Sequence, residues 1–156
     1  MNLPDAYNEI DLTYVKLLRR GKVRDIFYLG ESLLMVASDR ISAFDVVLPN
    51  AIPFKGKVLN SISSFWFGKT ANIIPNHLIT DNVDEYPVNL TDTEKEMLRG
   101  RSMLVQKGEM IDVECVVRGY IDGSAWKSYK ATGKLYDIPL PKDLKQGDKL
   151  PELMFT

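Results

Sequence analysis

The sequence predicts an α+β fold, an antiparallel sheet with packed helices in a two-lobed arrangement. Three observations carry that prediction. Ile26 to Leu29 and Leu33 to Ala37 are short apolar runs on either side of Gly30-Glu31, the pattern of a β-hairpin. Val58, Leu59, Ile62, Phe65, Trp66 and Ile73 then recur at helical spacing, and Pro75 closes that segment. Lys107-Gly108-Glu109 interrupts two further apolar runs. There the lobes are expected to meet, residues 1–107 forming an N-terminal lobe and 108–156 the beginning of a second.

Composition narrows the class. With 156 residues, 45% hydrophobic and 26% charged, the chain can bury a core. A net charge of -1 argues against a general nucleic-acid or membrane binder. Cys115 is the single cysteine, which excludes an internal disulfide and a multi-cysteine metal site and fits a reducing compartment. The first residues lack the apolar core of a signal peptide, and no window approaches a membrane-spanning run, so a cytoplasmic location is expected.

In chain order, residues 1–17 read as a packed lead-in. Lys16, Arg19, Arg20, Lys22 and Arg24 follow as five cations with no acid until Asp25. Such a run is either a solvated face or, given Gly21 within it and an apolar strand directly after, an anion site at the mouth of a strand. It carries no interleaved aromatic platform for nucleic acid. Ser38 to Asp45 leaves the second strand dense in hydroxyl and charged groups. That is the composition of a substrate loop, or of a turn in which Asp39 and Ser42 cap backbone amides. The aromatic stripe of the 57–73 helix is read as core. His77, the only histidine, is read as structural, within a short strand 77–80. Thr91 and Glu94 have capping-box spacing for a short helix ending near Gly100, and 101–106 reads as a strand. Residues 137–150 look loop-like.

The stretch Glu114 to Tyr129 is the most informative. Read as a strand from Val113, it places Glu114 and Arg118 on one face, roughly 13 Å apart at about 3.3 Å per residue, able to hold two parts of one ligand. Asp122-Gly123-Ser124 then turns into a helix that stops at Gly133. A strand, a glycine turn and a helix N-terminus can bind an anion through unpaired amides, the Ser124 hydroxyl and Lys127. Ser124 serving only as N-cap is the other reading.

These residues, ECVVRGYIDGS followed by AWKSY, resemble the signature of the SAICAR synthetase family, ATP-dependent ligases of purine biosynthesis that join aspartate to a carboxylated aminoimidazole ribotide. RGKVRDIF at 20–27, SDRISAFD at 38–45 and PFKGKVLNSISSFWF at 53–67 resemble the same family in the same order, and LPELMFT at 150–156 is similar to a later family segment. Asp112 stands where the family usually has proline, and Asp122 where it has threonine or alanine. Asp122 brings a carboxylate next to the expected phosphate nest.

The resemblance implies a kinase- or ATP-grasp-like two-lobed architecture whose N-terminal lobe binds nucleotide. It implies ATP and Mg²⁺ as cofactors, with Gly21, Lys22 and Arg24 at the nucleotide phosphates and Gln106, Lys107 and Met110 near the adenine. It implies Asp39, Arg40, Ser42, Asp45, Glu114, Arg118, Gly123, Ser124 and Lys127 as candidates toward the ribotide and aspartate, with Arg118, Ser124 and Lys127 on the ribotide phosphate. Only the N-terminal part of the family's pattern is present, so the 156 residues alone are expected to lack ligase activity. The other reading is a non-catalytic fragment that binds nucleotide or ribotide.

Overall fold

The computed structural model describes residues 6–156, which form two compact units that divide between Glu109 and Met110. In the first, β1 (Leu17–Arg20), β2 (Arg24–Leu29) and β3 (Ser32–Ala37) make an antiparallel meander. A miniature hairpin follows, β4 (Ser42–Ala43) with β5 (Val46–Val47), then helix α1 (Lys55–Thr70). Strand β6 (Leu78–Thr80), helix α2 (Asp92–Leu98) and strand β7 (Ser102–Gln106) complete a five-stranded sheet of order β1-β2-β3-β7-β6. The fold is α+β. Sequence reading anticipates the β2–β3 hairpin and β7 but misses β1 and the β4–β5 hairpin, because a cation run and a four-residue ladder carry no apolar alternation to detect.

Register assigns the two faces of the sheet. Phe27, Leu34, Val36 and Leu104 point to one side and, with Ile10, Val15, Val83, Tyr86 and Leu98, form the core. Arg24, Met35, Ala37 and Met103 point to the other, toward α1.

The expected helix is present, but its expected core stripe is not. Phe65 is 55% exposed and Trp66 58%, and Val58 and Ile62 are exposed as well. The arc facing the sheet is Gly56, Asn60, Ser63 and Phe67, which is itself an i, i+4, i+7, i+11 series. Two backbone-level contacts select this arc. A Cβ on Gly56 would lie 2.1 Å from the Ala37 carbonyl oxygen, so only glycine permits the approach, and Asn60 Nδ2 donates to the Ser102 carbonyl at 3.2 Å.

Helix α2 begins with the expected capping box: Thr91 Oγ1 accepts from the Glu94 amide and Glu94 returns the bond to the Thr91 amide at 2.7 Å. Glu94 also accepts from the Thr13 amide at 2.6 Å, which ties the lead-in to α2. These amides hold the Glu94 carboxyl down at about 2.

In the second unit β8 (Val117–Tyr120) precedes α3 (Gly123–Thr132), and β9 (Lys134–Leu135) pairs with β10 (Ile138–Pro139). The last strand, β11 (Lys149–Phe155), returns antiparallel to β8 around a bulge. Ile121, Ala125, Leu135, Leu150 and Met154 form the core of this unit. The strand read from Val113 is shorter than expected. Val113, Glu114 and Cys115 are exposed and outside any strand, because β11 supplies a partner no earlier than Val116, which exchanges backbone bonds of 2.8 Å with Thr156. No helix among the described residues is long and apolar enough to cross a membrane.

Two outcomes test this account. Gly56→Ala should lower stability by about 2–3 kcal/mol in urea unfolding, since the methyl meets backbone that cannot rotate away. Glu94→Gln should cost most above pH 5. The folded carboxyl lies below its usual value, so its contribution is complete above the unfolded pKa and fades as pH falls toward 2. The unfolding curves of the wild type and the Glu94→Gln variant should therefore converge on acidification.

Candidate functional site

The polar segment after β3 is built into the scaffold. Ser38 donates both its amide and Oγ to the Val23 carbonyl, at 3.1 and 3.0 Å. Arg40 Nη2 and Nε donate to the carbonyls of Gly21 and Lys22, at 3.0 and 3.1 Å, and Nη1 also reaches Asn8 O. Its charge is met by buried Asp25, with Nη2 2.6 Å from Oδ1. Ser38 and Arg40 therefore grip the backbone of the β1–β2 turn on three successive carbonyls. With those carbonyls turned inward and Gly21 N bonded to Arg24 O at 2.7 Å, Lys22 extends into solvent.

Asp39 faces the opposite way and is fully buried. It accepts from the Gly56 amide and Arg101 Nη1, each at 2.8 Å, and from the Tyr7 amide at 3.0 Å. Burial pushes its carboxyl up, but the Tyr7, Arg101 and Gly56 donors together hold it below the usual range. Of the substrate-loop candidates, Asp39 and Arg40 thus have their polar atoms engaged inside the protein. Ser42 is half-buried in β4, and Asp45 stands on the hairpin tip with Oδ1 2.6 Å from Lys22 Nζ.

Between the sheet and α1 lies a groove of about 120 Å³. Met35, Ala37 and Met103 form its floor, Leu59, Asn60, Ser63 and Phe67 one wall, and Arg24 and His77 its ends. His77 packs edge-on to Phe67, with ring centroids 5.2 Å apart, and also borders a second concavity with Pro75, Asn76, Gln106, Lys107 and Gly108. His77 thus lines both hollows, one bordered by Arg24 in the basic turn and the other by Gln106 and Lys107, where β7 ends. Sequence reading missed Asn60, Ser63 and His77 as lining residues, and only the 56–60–63–67 spacing could have marked the first two. Lys107 Nζ lies 5.7 Å from the Tyr28 ring centroid and its amide donates to Glu31 O at 3.3 Å, while Met110 is exposed in the second unit.

The second unit has its own polar nest at the start of α3. Asp122 is the N-cap, its Oδ1 accepting from the Gly123 amide and from Gln146 Nε2, each at 2.7 Å. Gln146 and that amide hold its carboxyl below the usual range. Ser124 is therefore not the cap. Its Oγ accepts from Arg118 Nη2 at 3.1 Å, and Arg118 Nε donates to Thr156 Oγ1 at 3.2 Å. Gly123 has φ +58°, a left-handed conformation, with nothing within 4 Å of the position a Cβ would take. Lys127 is exposed further along α3, and Glu114 is exposed upstream of β8.

The SAICAR synthetase family model matches residues 17–156. The phosphoribosylaminoimidazole-succinocarboxamide synthase of Thermodesulfovibrio yellowstonii is 56% identical over 148 residues, covering 95% of this chain and 50% of that protein. The enzyme of the same name from Trichlorobacter lovleyi is 55% identical over the same length, with the same coverage. The structure of the Saccharomyces cerevisiae SAICAR synthase complexed with SAICAR superimposes with a TM-score of 0.89 at 40% identity, covering 97% of this chain and 53% of that one. A type-2 SAICAR synthetase solved with ADP, 22% identical with a TM-score of 0.61, shares the fold. The chain spans about half the length of the curated relatives it matches.

Proposed function

The chain belongs to the SAICAR synthetase family, and from that premise we propose that it supplies the nucleotide-phosphate and ribotide-phosphate contacts of an ATP-dependent carbon–nitrogen ligase of purine biosynthesis. The observation that carries this reading is a pair of separately held cations of different chemistry. One is a solvent-facing lysine on a turn whose carbonyls are all drawn inward. The other is an arginine joined to a helix-start serine.

In the first unit, Lys22, with Gly21 and Arg24, takes nucleotide phosphates. The groove beside Arg24 has the apolar floor and few polar ends that suit a planar base, and the hollow at Gln106 and Lys107 shares His77 with it. Met110 belongs to the same proposed set. In the second, Arg118, Gly123, Ser124 and Lys127 take the single phosphate of carboxyaminoimidazole ribotide. Asp122 is no obstacle there, because its oxygen is turned to the Gly123 amide and Gln146. Ser42, Asp45 and Glu114 remain available toward the carboxylated imidazole or aspartate. Asp39 and Arg40 act indirectly, holding the basic turn and α1.

ATP supplies the phosphoryl group that activates the imidazole carboxylate. The aspartate amine then attacks that carbon, the C–N bond forms, the bond to the phosphate oxygen breaks, and the amine loses a proton. This chain's residues position the phosphates and neutralise their charge. Mg²⁺ belongs to the family reading, but among the described residues no group of three or more His, Cys, Asp or Glu side chains could hold a metal ion, so no step is assigned to one. A cytoplasmic setting is part of the same proposal.

Lys22→Ala should weaken ATP binding by roughly 1.5 kcal/mol in calorimetry. That is the low end for a hydrogen bond to a charged group, because the lysine is exposed and surrenders Asp45 in exchange. Unchanged affinity would remove Lys22 from the nucleotide site. Joined to the remaining half of a curated relative, the chain should release ADP only when aspartate and ribotide are both present. In that chimera Arg118→Ala should raise the ribotide KM roughly ten- to a hundredfold while leaving the KM for ATP in place. A ribotide KM that does not move would place its phosphate elsewhere. The 156 residues alone should bind nucleotide without turnover.

A further inference from the structure

The β4–β5 hairpin has features that the phosphate contacts do not require. Its strands are two residues each, paired Ser42 to Val47 and Ala43 to Val46, and the connecting residues are Phe44 and Asp45. Both are left-handed, with φ of 49° and 64°. A two-residue turn of this type is normally Asn-Gly or Asp-Gly, so a phenylalanine at its first position stores local strain. The Phe44 side chain is fully exposed, so no packing offsets that strain. Among the described residues, one side-chain hydrogen bond leaves the segment 42–47: Asp45 Oδ1 to Lys22 Nζ, at 2.6 Å.

We propose that this hairpin is a latch on the phosphate-binding lysine, with Asp45 occupying Lys22 in the absence of polyphosphate and yielding it when polyphosphate binds. The inference rests on the nucleotide reading of Lys22 and adds a regulatory coupling to that site. Lys22 cannot serve both anions at full strength, so polyphosphate binding releases the tip and its Asp45 carboxylate. An ion pair this exposed, 56% for the lysine side chain and 92% for the aspartate, is worth at most about a fivefold factor. The latch is thus weak enough to open to a ligand carrying several charges. Coupling between sites is reciprocal. A cationic group that takes Asp45, such as the ammonium of an amino-acid substrate, should tighten polyphosphate at Lys22 by the same factor by which polyphosphate tightens the ammonium.

The test is calorimetric titration of the 156-residue chain with inorganic tripolyphosphate and with ATP at fixed ionic strength, in wild type, Lys22→Ala, Asp45→Asn and Glu31→Gln. Asparagine tolerates the left-handed turn, so Asp45→Asn removes the charge while keeping the hairpin. Glu31, at the far end of the β2–β3 hairpin, controls for the loss of one negative charge. The expected result is weaker binding in Lys22→Ala, two- to fivefold tighter binding of both ligands in Asp45→Asn, and no change in Glu31→Gln. If Lys22→Ala weakens binding but Asp45→Asn does not tighten it, the latch is wrong and the nucleotide reading stands. Equal tightening in Asp45→Asn and Glu31→Gln reduces the effect to overall charge and also overturns the latch. If Lys22→Ala binds as wild type does, the nucleotide reading fails and the latch fails with it.

Discussion

The first unit depends on one buried carboxylate. Helix α1 starts at Phe54, an N-cap position with left-handed φ that provides no side-chain cap, so its first amides need an acceptor from elsewhere. Asp39 is that acceptor, bonded to the Gly56 amide inside the first turn of α1, where its negative charge also complements the helix dipole. The same carboxylate holds Arg101 at the entry to β7 and the Tyr7 amide in the lead-in. Helix, sheet and lead-in therefore converge on two oxygen atoms. A buried ion pair of this kind is weak evidence of net stability, but losing one partner strands the other at a cost of about 3–5 kcal/mol. Its contribution is geometric.

That geometry explains why α1 turns its less apolar arc inward. Capping by Asp39 brings the helix start against the end of β3, where only Gly56 can approach the Ala37 carbonyl, and Asn60 extends the seam by one turn to Ser102. Once the seam is fixed by backbone contact, rotation of the helix is no longer free to maximise apolar burial. Phe65 and Trp66 consequently face outward. The small residues of the seam also leave room for the groove, since large side chains at 60 and 63 would fill the space over Met35 and Met103.

Legibility from sequence follows the same division. The β2–β3 hairpin, the Thr91–Glu94 box and the stop of α3 at Gly133 were readable because local chemistry alone determines them. The inward arc of α1 was not, because hydropathy ranks Val58, Ile62 and Phe65 above Gly56, Asn60 and Ser63, while the deciding contacts come from residues distant in sequence. Ser38-Asp39-Arg40 is open between a ligand loop and a turn in which Asp39 caps backbone amides, and Asp39 does accept from the Gly56 and Tyr7 amides, while Ser38 and Arg40 are spent on the 21–23 carbonyls. Charge density alone cannot distinguish a side chain that meets a ligand from one that positions the side chain that does. Lys22 and Asp45, at the solvent end of this arrangement, kept the exposure that their composition suggested.

The two proposed anion sites differ in how each cation is held. Arg118 is braced by Thr156 and Ser124, so its planar fork is oriented in advance and loses little side-chain freedom when a monophosphate arrives. Lys22 is a flexible point charge whose restraint is another anion. On the proposed ribotide reading, the first arrangement suits a compact phosphate whose position must be fixed, because the same molecule carries the reacting carboxylate. The second, on the proposed nucleotide reading, suits a chain of phosphates that carries charge along its length and leaves after transfer. On the same reading, bracing Lys22 as firmly as Arg118 would raise affinity for nucleotide before and after transfer alike, and uniform binding of that kind does not accelerate turnover.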